Sequence, residues 1–190
     1  MPSDLRPLEI AERTALLRLA RAAIAARIRG QGRPPLPEGP SRLLVPQAAF
    51  VTLRLSGELR GCIGTIFGDR PLAEAVVDGA AAAAMEDPRF PPLSPSEFGG
   101  VLIEISALGL LVPVVDPASI VIGRHGVMVR RGDRRGLLLP QVAIEEGWDV
   151  PTYLEHVCLK AGLPPRAWEH GGDLVIFEAE VFAETAPAPQ

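Results

Sequence analysis

The chain has 190 residues, of which 47% are hydrophobic, enough to build a core without disulfide bonds. Its formal net charge of −4 argues against a protein that binds nucleic acid through a broad basic surface. The apolar runs are too short to cross a membrane and the first thirty residues contain no secretory signal, so the sequence predicts a cytoplasmic protein.

The first predicted element is an amphipathic helix over residues 10–29. Its apolar residues at helical spacing are Leu17, Ala20, Ile24 and Ile28, with arginines between them. Residues 30–40 follow, and their prolines and glycines can sustain neither a helix nor a central strand. This segment is therefore predicted to be a linker.

A β-hairpin is predicted next, from a strand over 49–55 to a strand over 59–66, which has the sequence LRGCIGTI. The second strand carries Cys62 near Gly61 and Gly64. Glycine weakens a strand interior, so its presence on both sides of a cysteine needs a reason. Either a ligand or partner approaches this backbone closely, or the strand bends here.

A helix is predicted over residues 69–86, with Asp69 as its N-cap and a face of small residues that can lie close to a sheet. Residues 87–95, DPRFPPLSP, are predicted to form an extended loop because prolines interrupt them. This loop carries Arg89 and Phe90.

The remaining predicted elements alternate strands and helices. They are a long strand over 100–114, one or two strands over 119–131, a hairpin turn over 130–136, a strand end and helical turn over 137–149, a helix over 151–162 and a strand over 173–184. Hairpins outnumber strand–helix–strand crossovers, so the predicted class is α+β, with a mainly antiparallel sheet covered by helices. We expect a single domain over 1–190, with a core of about 10–184 and a disordered tail at 185–190.

Cys62 is the strongest candidate for chemistry, although most free cysteines are buried and inert. Two-residue alternation puts Leu59 and Ile63 on the core-facing side of the strand and Arg60 and Cys62 on the other side. A guanidinium on that side would favour the thiolate, and the flanking glycines leave space above the sulfur. Cys158, in contrast, lies on an apolar helical face and is predicted to be a core residue.

His125 has two interpretations. It is either a general base near a glycine-rich backbone or a hydrogen-bonded core histidine, since its alternation matches that of Val127. Glu104, within an apolar strand, lies either on a wet face or beside an arginine such as Arg60 or Arg89. No paired Cys/His spacing or nucleotide-binding loop occurs, so the sequence predicts neither a metal site nor a cofactor.

Five motifs give the chain a family resemblance. The motifs LRGCIGT, DPRF, the HG at 125–126, GLLLPQVAIEEGW and CLKAGLPPRAW, in this order, closely resemble the AMMECR family, named after the Alport syndrome, midface hypoplasia and elliptocytosis chromosomal region. The resemblance covers about residues 10–184 and implies an α+β fold with a larger and a smaller lobe. By analogy, the motif positions are Arg60, Gly61, Cys62, Ile63 and Gly64, then Asp87 to Phe90, His125, and Pro140 to Glu145.

The resemblance also implies partners. Prokaryotic relatives are often called AmmeMemoRadiSam system protein A and are encoded beside, or fused to, a Memo-type protein and a radical S-adenosylmethionine enzyme. The Memo-type protein is itself similar to extradiol dioxygenases. A Memo-like protein and a radical S-adenosylmethionine enzyme are therefore the expected partners.

The residues and the resemblance together predict a catalytic component of a modification system that uses Cys62 as a thiolate nucleophile or covalent carrier. Arg60 would stabilise the thiolate, His125 would move protons, and Arg89 or Glu145 would position the substrate. The residues expected to bind substrate or partner are Gly61, Gly64, Arg89, Phe90 and Gln141. The alternative is a non-catalytic adaptor that docks one of the two partners through the RGCIG and DPRF motifs.

Overall fold

The computed structural model describes residues 5–39 and 41–185. These residues form two four-stranded antiparallel sheets and five α-helices, which confirms the predicted α+β class but gives two sheets where one was expected. One unit comprises the chain up to Leu108 and from Glu180 onward, and a second comprises Gly109–Ala179. Residues 186–190 of the predicted tail and residue 40 of the predicted linker lie outside the described ranges.

Most of the predicted helices and strands are present with nearly the predicted bounds. In chain order the elements are α1 (Ile10–Ile28), β1 (Ala49–Leu55), β2 (Glu58–Thr65), α2 (Leu72–Met85), α3 (Pro95–Phe98), β3 (Val101–Leu108), β4 (Val112–Pro113), β5 (Gly126–Arg131), β6 (Arg134–Leu138), α4 (Pro140–Glu145), α5 (Val150–Lys160), β7 (Asp173–Phe177) and β8 (Ala179–Ala183). The first sheet has the order β2-β1-β3-β8, and the second has the order β4-β7-β5-β6.

The core of the first unit lies between its sheet and helices α1 and α2. Leu16 and Ile24 of α1 and Val76 of α2 belong to one buried cluster with Val51 and Ile103 of the sheet. The alanines of α2 let this helix lie close to the sheet, as predicted. The helix begins at Leu72 and not at the predicted cap Asp69, since Pro71 occupies the N-cap position.

The second unit has a separate core in which α5 packs with β5 and β6. Val127 and Val129 of β5 are fully buried with Leu154 and Cys158 of α5, which confirms the predicted core position of Cys158. The Tyr153 hydroxyl donates to the Leu138 carbonyl at 2.9 Å, so its polar group is satisfied within this core.

Two predicted long strands are each divided between the two sheets. The strand expected over 100–114 forms β3 in the first sheet and β4 in the second, and the strand expected over 173–184 forms β7 and β8. The breaks meet where the Gly109 N–H donates to the Glu178 carbonyl at 2.7 Å. Apolar residues continue across both breaks, so the sequence pattern does not reveal the change of sheet.

Candidate functional site

Cys62 lies on β2, the edge strand of the first sheet. The turn before β2 is made by Ser56 and Gly57, whose φ angles of 53° and 88° give the backbone twist that a two-residue hairpin requires. The strand register then places Cys62 opposite Thr52 of β1. The hairpin therefore places Cys62 on the free edge of the sheet.

A β-bulge interrupts β2 just before Cys62. Leu53 of β1 pairs with Gly61 and Arg54 pairs with Leu59, which leaves Arg60 as an extra residue without an opposite partner. The predicted core position of Leu59 is wrong, because this side chain is 36% exposed. Simple alternation assumes a regular strand, and the bulge breaks that assumption.

Arg60 is buried and directed toward Glu97 of α3. Its Nε and Nη2 atoms donate to the two carboxylate oxygens of Glu97 at 2.9 and 3.2 Å. The hydrogen bond from Arg60, supported by those from Ser94, lowers the pKa of Glu97 to about 2. The sequence placed Arg60 beside Cys62, whereas its hydrogen-bond partner is a carboxylate that the sequence interpretation missed.

The signal for Glu97 was present in the sequence as Ser-x-x-Glu. The Glu97 N–H donates to the Ser94 hydroxyl at 3.3 Å, and the Ser94 N–H donates to the Glu97 carboxylate at 2.9 Å. This reciprocal pair is a capping box, which starts the short helix α3 at Pro95, the last residue of the predicted loop.

Asp87 is the buried centre of the DPRF segment. Its carboxylate accepts hydrogen bonds from the Cys62 N–H at 2.8 Å, the Arg89 N–H at 3.1 Å, Arg89 Nε at 2.9 Å and Arg89 Nη2 at 2.7 Å. The Arg89 guanidinium is the main cause that holds the pKa of Asp87 far below its ordinary value. At this position Asp87 accepts the hydrogen bond that a neighbouring strand would accept from Cys62.

The sulfur of Cys62 has two polar neighbours. The Thr52 hydroxyl donates to Sγ at 3.3 Å, and the Arg89 guanidinium lies close enough to interact with the thiol. Asp87 is the main cause that raises the pKa of Arg89, and the Cys62 thiol adds to that increase. Cys62 itself is half-buried. Arg89 Nη2 also donates to the Cys62 carbonyl at 3.4 Å, so the arginine in contact with Cys62 is Arg89.

Phe90 lies between the two arginines of the site. Its ring centre is 5.8 Å from the guanidinium carbon of Arg60 and 5.5 Å from that of Arg89, within the range of a cation–π interaction. Of the residues predicted for the site, the structure thus brings Arg60, Cys62, Arg89 and Phe90 together. Thr52 had no distinctive sequence signal, since threonine is common in strands.

The two glycines of the RGCIG motif have neighbours from the chain itself. A Cβ atom at Gly61 would lie 2.2 Å from the Ala83 carbonyl oxygen of α2, and one at Gly64 would lie 2.2 Å from the Ala49 carbonyl oxygen. Helix α2 and strand β1 thus occupy the space at these positions in which the sequence predicted the approach of a ligand or partner. The alternative prediction, a bend, corresponds to the bulge at Arg60.

The other predicted site residues belong to the second unit. His125 precedes β5, and its Nδ1 atom accepts a hydrogen bond from the Val121 N–H at 3.1 Å. Gln141 is half-buried and Glu145 is exposed, both on α4. Their roles in catalysis or binding, including proton transfer by His125, stay predictions.

Residues 5–39 and 41–185 contain neither a cluster of metal-ligating side chains nor a membrane-spanning helix. Within these ranges, no group of three or more His, Cys, Asp or Glu side chains is arranged to hold a metal ion. In the same ranges, no helix combines the length and the apolar character needed to span a bilayer.

Comparison with known proteins matches nearly the whole chain. Residues 17–182 match the model of the AMMECR1 family. Protein MK0488 of Methanopyrus kandleri is 46% identical over 186 residues, which cover 90% of this chain and 88% of that protein. A protein of Thermofilum pendens is 44% identical over 191 residues, covering 90% and 89%. The crystal structure of uncharacterized protein PH0010 from Pyrococcus horikoshii is similar with a TM-score of 0.86 and 38% identity, covering 91% of each chain.

Proposed function

The chain belongs to the AMMECR1 family, and from this premise we propose that it acts through the thiol of Cys62, as a nucleophile or covalent carrier in a modification system. The observation that carries the proposal is the pair of donors at Cys62: the Thr52 hydroxyl donates to Sγ at 3.3 Å, and Arg89 Nη2 donates to the Cys62 carbonyl at 3.4 Å. A donor and a cation at a sulfur both favour the thiolate, which is the reactive form of cysteine.

The second cysteine provides a contrast within the same chain. Cys158 is fully buried in the core of the second unit, and this burial raises the pKa of its thiol. A thiol in such surroundings is inert. Cys62, half-buried on an edge strand, combines access for a reagent with polar neighbours.

The residues around Cys62 have separate roles in this proposal. Arg89 stabilises the thiolate, a role that the sequence predicted for Arg60. Asp87 orients Arg89 and holds the Cys62 backbone. Arg60 joins the strand to helix α3 through Glu97.

The partners expected from the family resemblance fit this role. We propose a Memo-like protein and a radical S-adenosylmethionine enzyme as the other members of the modification system.

A non-catalytic adaptor is the second candidate, and a different observation favours it. Large apolar side chains are exposed at both ends of β2, where Leu59 is 36% and Phe67 is 52% exposed. These two side chains flank the edge strand, whose unpaired side is available to a partner. In an adaptor, Leu59→Ser and Phe67→Ser would weaken partner binding, whereas Cys62→Ser would leave both binding and biological activity intact.

The catalytic proposal is tested by the rate at which iodoacetamide alkylates Cys62 at pH 6.5, measured by peptide mass mapping on the folded protein. An ordinary thiol with a pKa of about 8.5 is mostly protonated at this pH. We expect Cys62 to react about tenfold faster than glutathione, and Arg89→Gln to remove most of this advantage. Glutamine can still donate a hydrogen bond to Asp87 but carries no charge.

Arg60→Gln is the matched control for Arg89→Gln. It removes the other arginine of the cluster, whose hydrogen bonds go to Glu97, so the alkylation rate of Cys62 should stay within about twofold of the wild-type rate. A Cys62 that reacts no faster than glutathione in the wild-type protein would overturn the proposed chemistry.

A further inference from the structure

We infer that Thr52 is a positioning residue for the Cys62 chemistry, because its hydroxyl orients the sulfur and stabilises the thiolate. This inference rests on the proposed function and adds a residue to it. Thr52 lies on β1, outside all the motifs that the family resemblance identified. The geometry of the hairpin and the burial of the hydroxyl support it independently of the Arg89 contact.

The register of the hairpin brings the two side chains together. Thr52 and Cys62 are direct cross-strand partners, and the Cys62 N–H donates to Asp87 on the side away from β1. The Cys62 backbone therefore forms no hydrogen bond across to β1 at this pair. In antiparallel sheets, facing side chains lie closest at such non-hydrogen-bonded pairs. The distance of 3.3 Å between Oγ1 and Sγ agrees with this arrangement.

Burial makes the direction of this hydrogen bond informative. Thr52 is only 5% exposed, and a buried hydroxyl needs an acceptor within the protein. The acceptor of its hydrogen bond is Sγ of Cys62. A neutral thiol is a weak acceptor, whereas a thiolate is charged and accepts strongly. The hydroxyl thus contributes most when the sulfur has lost its proton.

Strand formation alone does not require a hydroxyl at this position. Valine has the same shape and a comparable preference for strands. In place of a valine, β1 carries a buried polar group that contacts the reactive sulfur. Arg89 contacts the same residue from the segment beyond the sheet edge, where its Nη2 donates to the Cys62 carbonyl at 3.4 Å.

The test compares alkylation of Cys62 by iodoacetamide at pH 6.5 in Thr52→Val and Thr52→Ser. Valine keeps the shape and removes the hydroxyl, whereas serine keeps the hydroxyl and removes the methyl group. We expect Thr52→Val to slow alkylation about tenfold, the effect of one hydrogen bond to a charged group, and Thr52→Ser to stay within about threefold of wild type. Thr52→Ala provides the same comparison if valine is not tolerated.

Thr65→Val is the control, because it removes another hydroxyl of the same hairpin, one that accepts from the Phe67 N–H at 3.0 Å. It should leave the alkylation rate of Cys62 unchanged. If Thr52→Val reacts as fast as wild type, or Thr52→Ser is as slow as Thr52→Val, the inference is overturned while the proposed function stands. A slow wild-type Cys62 overturns the proposed function itself.

Discussion

Asp87 shows how one side chain organises the surroundings of Cys62. Its buried carboxylate accepts from the backbone of Cys62 and from three donors of Arg89. Asp87→Asn removes the charge and at least one of these hydrogen bonds. We expect the free energy of unfolding to fall by about 1–3 kcal/mol, measured by urea denaturation. A variant as stable as the wild type would show that the network contributes nothing to folding.

The low pKa of Asp87 also predicts how stability depends on pH. A carboxyl group whose pKa is depressed in the folded state stabilises the protein fully above its unfolded pKa of about 3.9, and this contribution is lost as the pH falls below that value. Glu97 acts in the same direction. We expect the free energy of unfolding to decrease between about pH 5 and pH 2, and less steeply in Asp87→Asn. Parallel curves for the two proteins would contradict this.

Gly61 allows α2 to approach β2. A methyl group there would overlap the Ala83 carbonyl, which is backbone and cannot rotate away. Gly61→Ala should therefore lower the free energy of unfolding by about 1–3 kcal/mol, the range for overpacked sites. Gly99→Ala is the control, because no atom lies within 4 Å of its added Cβ. Equal thermal melting temperatures for the two variants would refute the packing explanation.

The sequence predicted Cys62, Arg89 and Phe90 as site residues, and the structure places these three residues in one cluster. The sequence assigned the thiolate-stabilising role to Arg60 because alternation assumes a regular strand, and the bulge at Arg60 invalidates that count. Thr52 could not be found this way, because cross-strand partners depend on a register that the turn sets to a single residue.

Helix α3 is the clearest element that the sequence contained and the interpretation missed. Its capping box of Ser94 and Glu97 holds the carboxylate that binds Arg60. Ser94→Ala should cost about 1 kcal/mol of stability, as expected for a lost N-cap. Ser96→Ala, within the same helix, is the comparison: it removes an exposed hydrogen bond of 3.0 Å to the Ser94 hydroxyl but leaves the capping box in place, so it should cost less than Ser94→Ala. Urea denaturation of both variants measures the difference, and equal midpoints would contradict the capping role.

The two divided strands show that hydrophobic periodicity does not predict which sheet a strand joins. The runs 100–114 and 173–184 are apolar enough to suggest single strands, yet each leaves one sheet for the other. Gly109 was the one local cue, since glycine within a strand often marks a bend. Which sheet a strand joins depends on long-range pairing, and a single sequence does not encode this in its local pattern.

The residues that the structure describes form two separate hydrophobic cores. Cys158 lies in the second core and reports on its opening, because the buried thiol reacts only when the surrounding side chains separate. We expect its alkylation rate to rise steeply with urea concentration, whereas that of Cys62 changes little before global unfolding. Rapid alkylation of Cys158 in the absence of urea would show that this core is not closed.

Replacement of Cys62 by serine tests directly whether the protein acts through the thiol of Cys62. The assay compares Cys62→Ser and Cys158→Ser in a host whose own copy of the gene is deleted, scored by the phenotype of that deletion and by the amount of folded protein. We expect Cys62→Ser to fold but to fail to restore function, whereas folded Cys158→Ser restores it. Full restoration by folded Cys62→Ser would contradict a chemical role for the thiol and favour the adaptor.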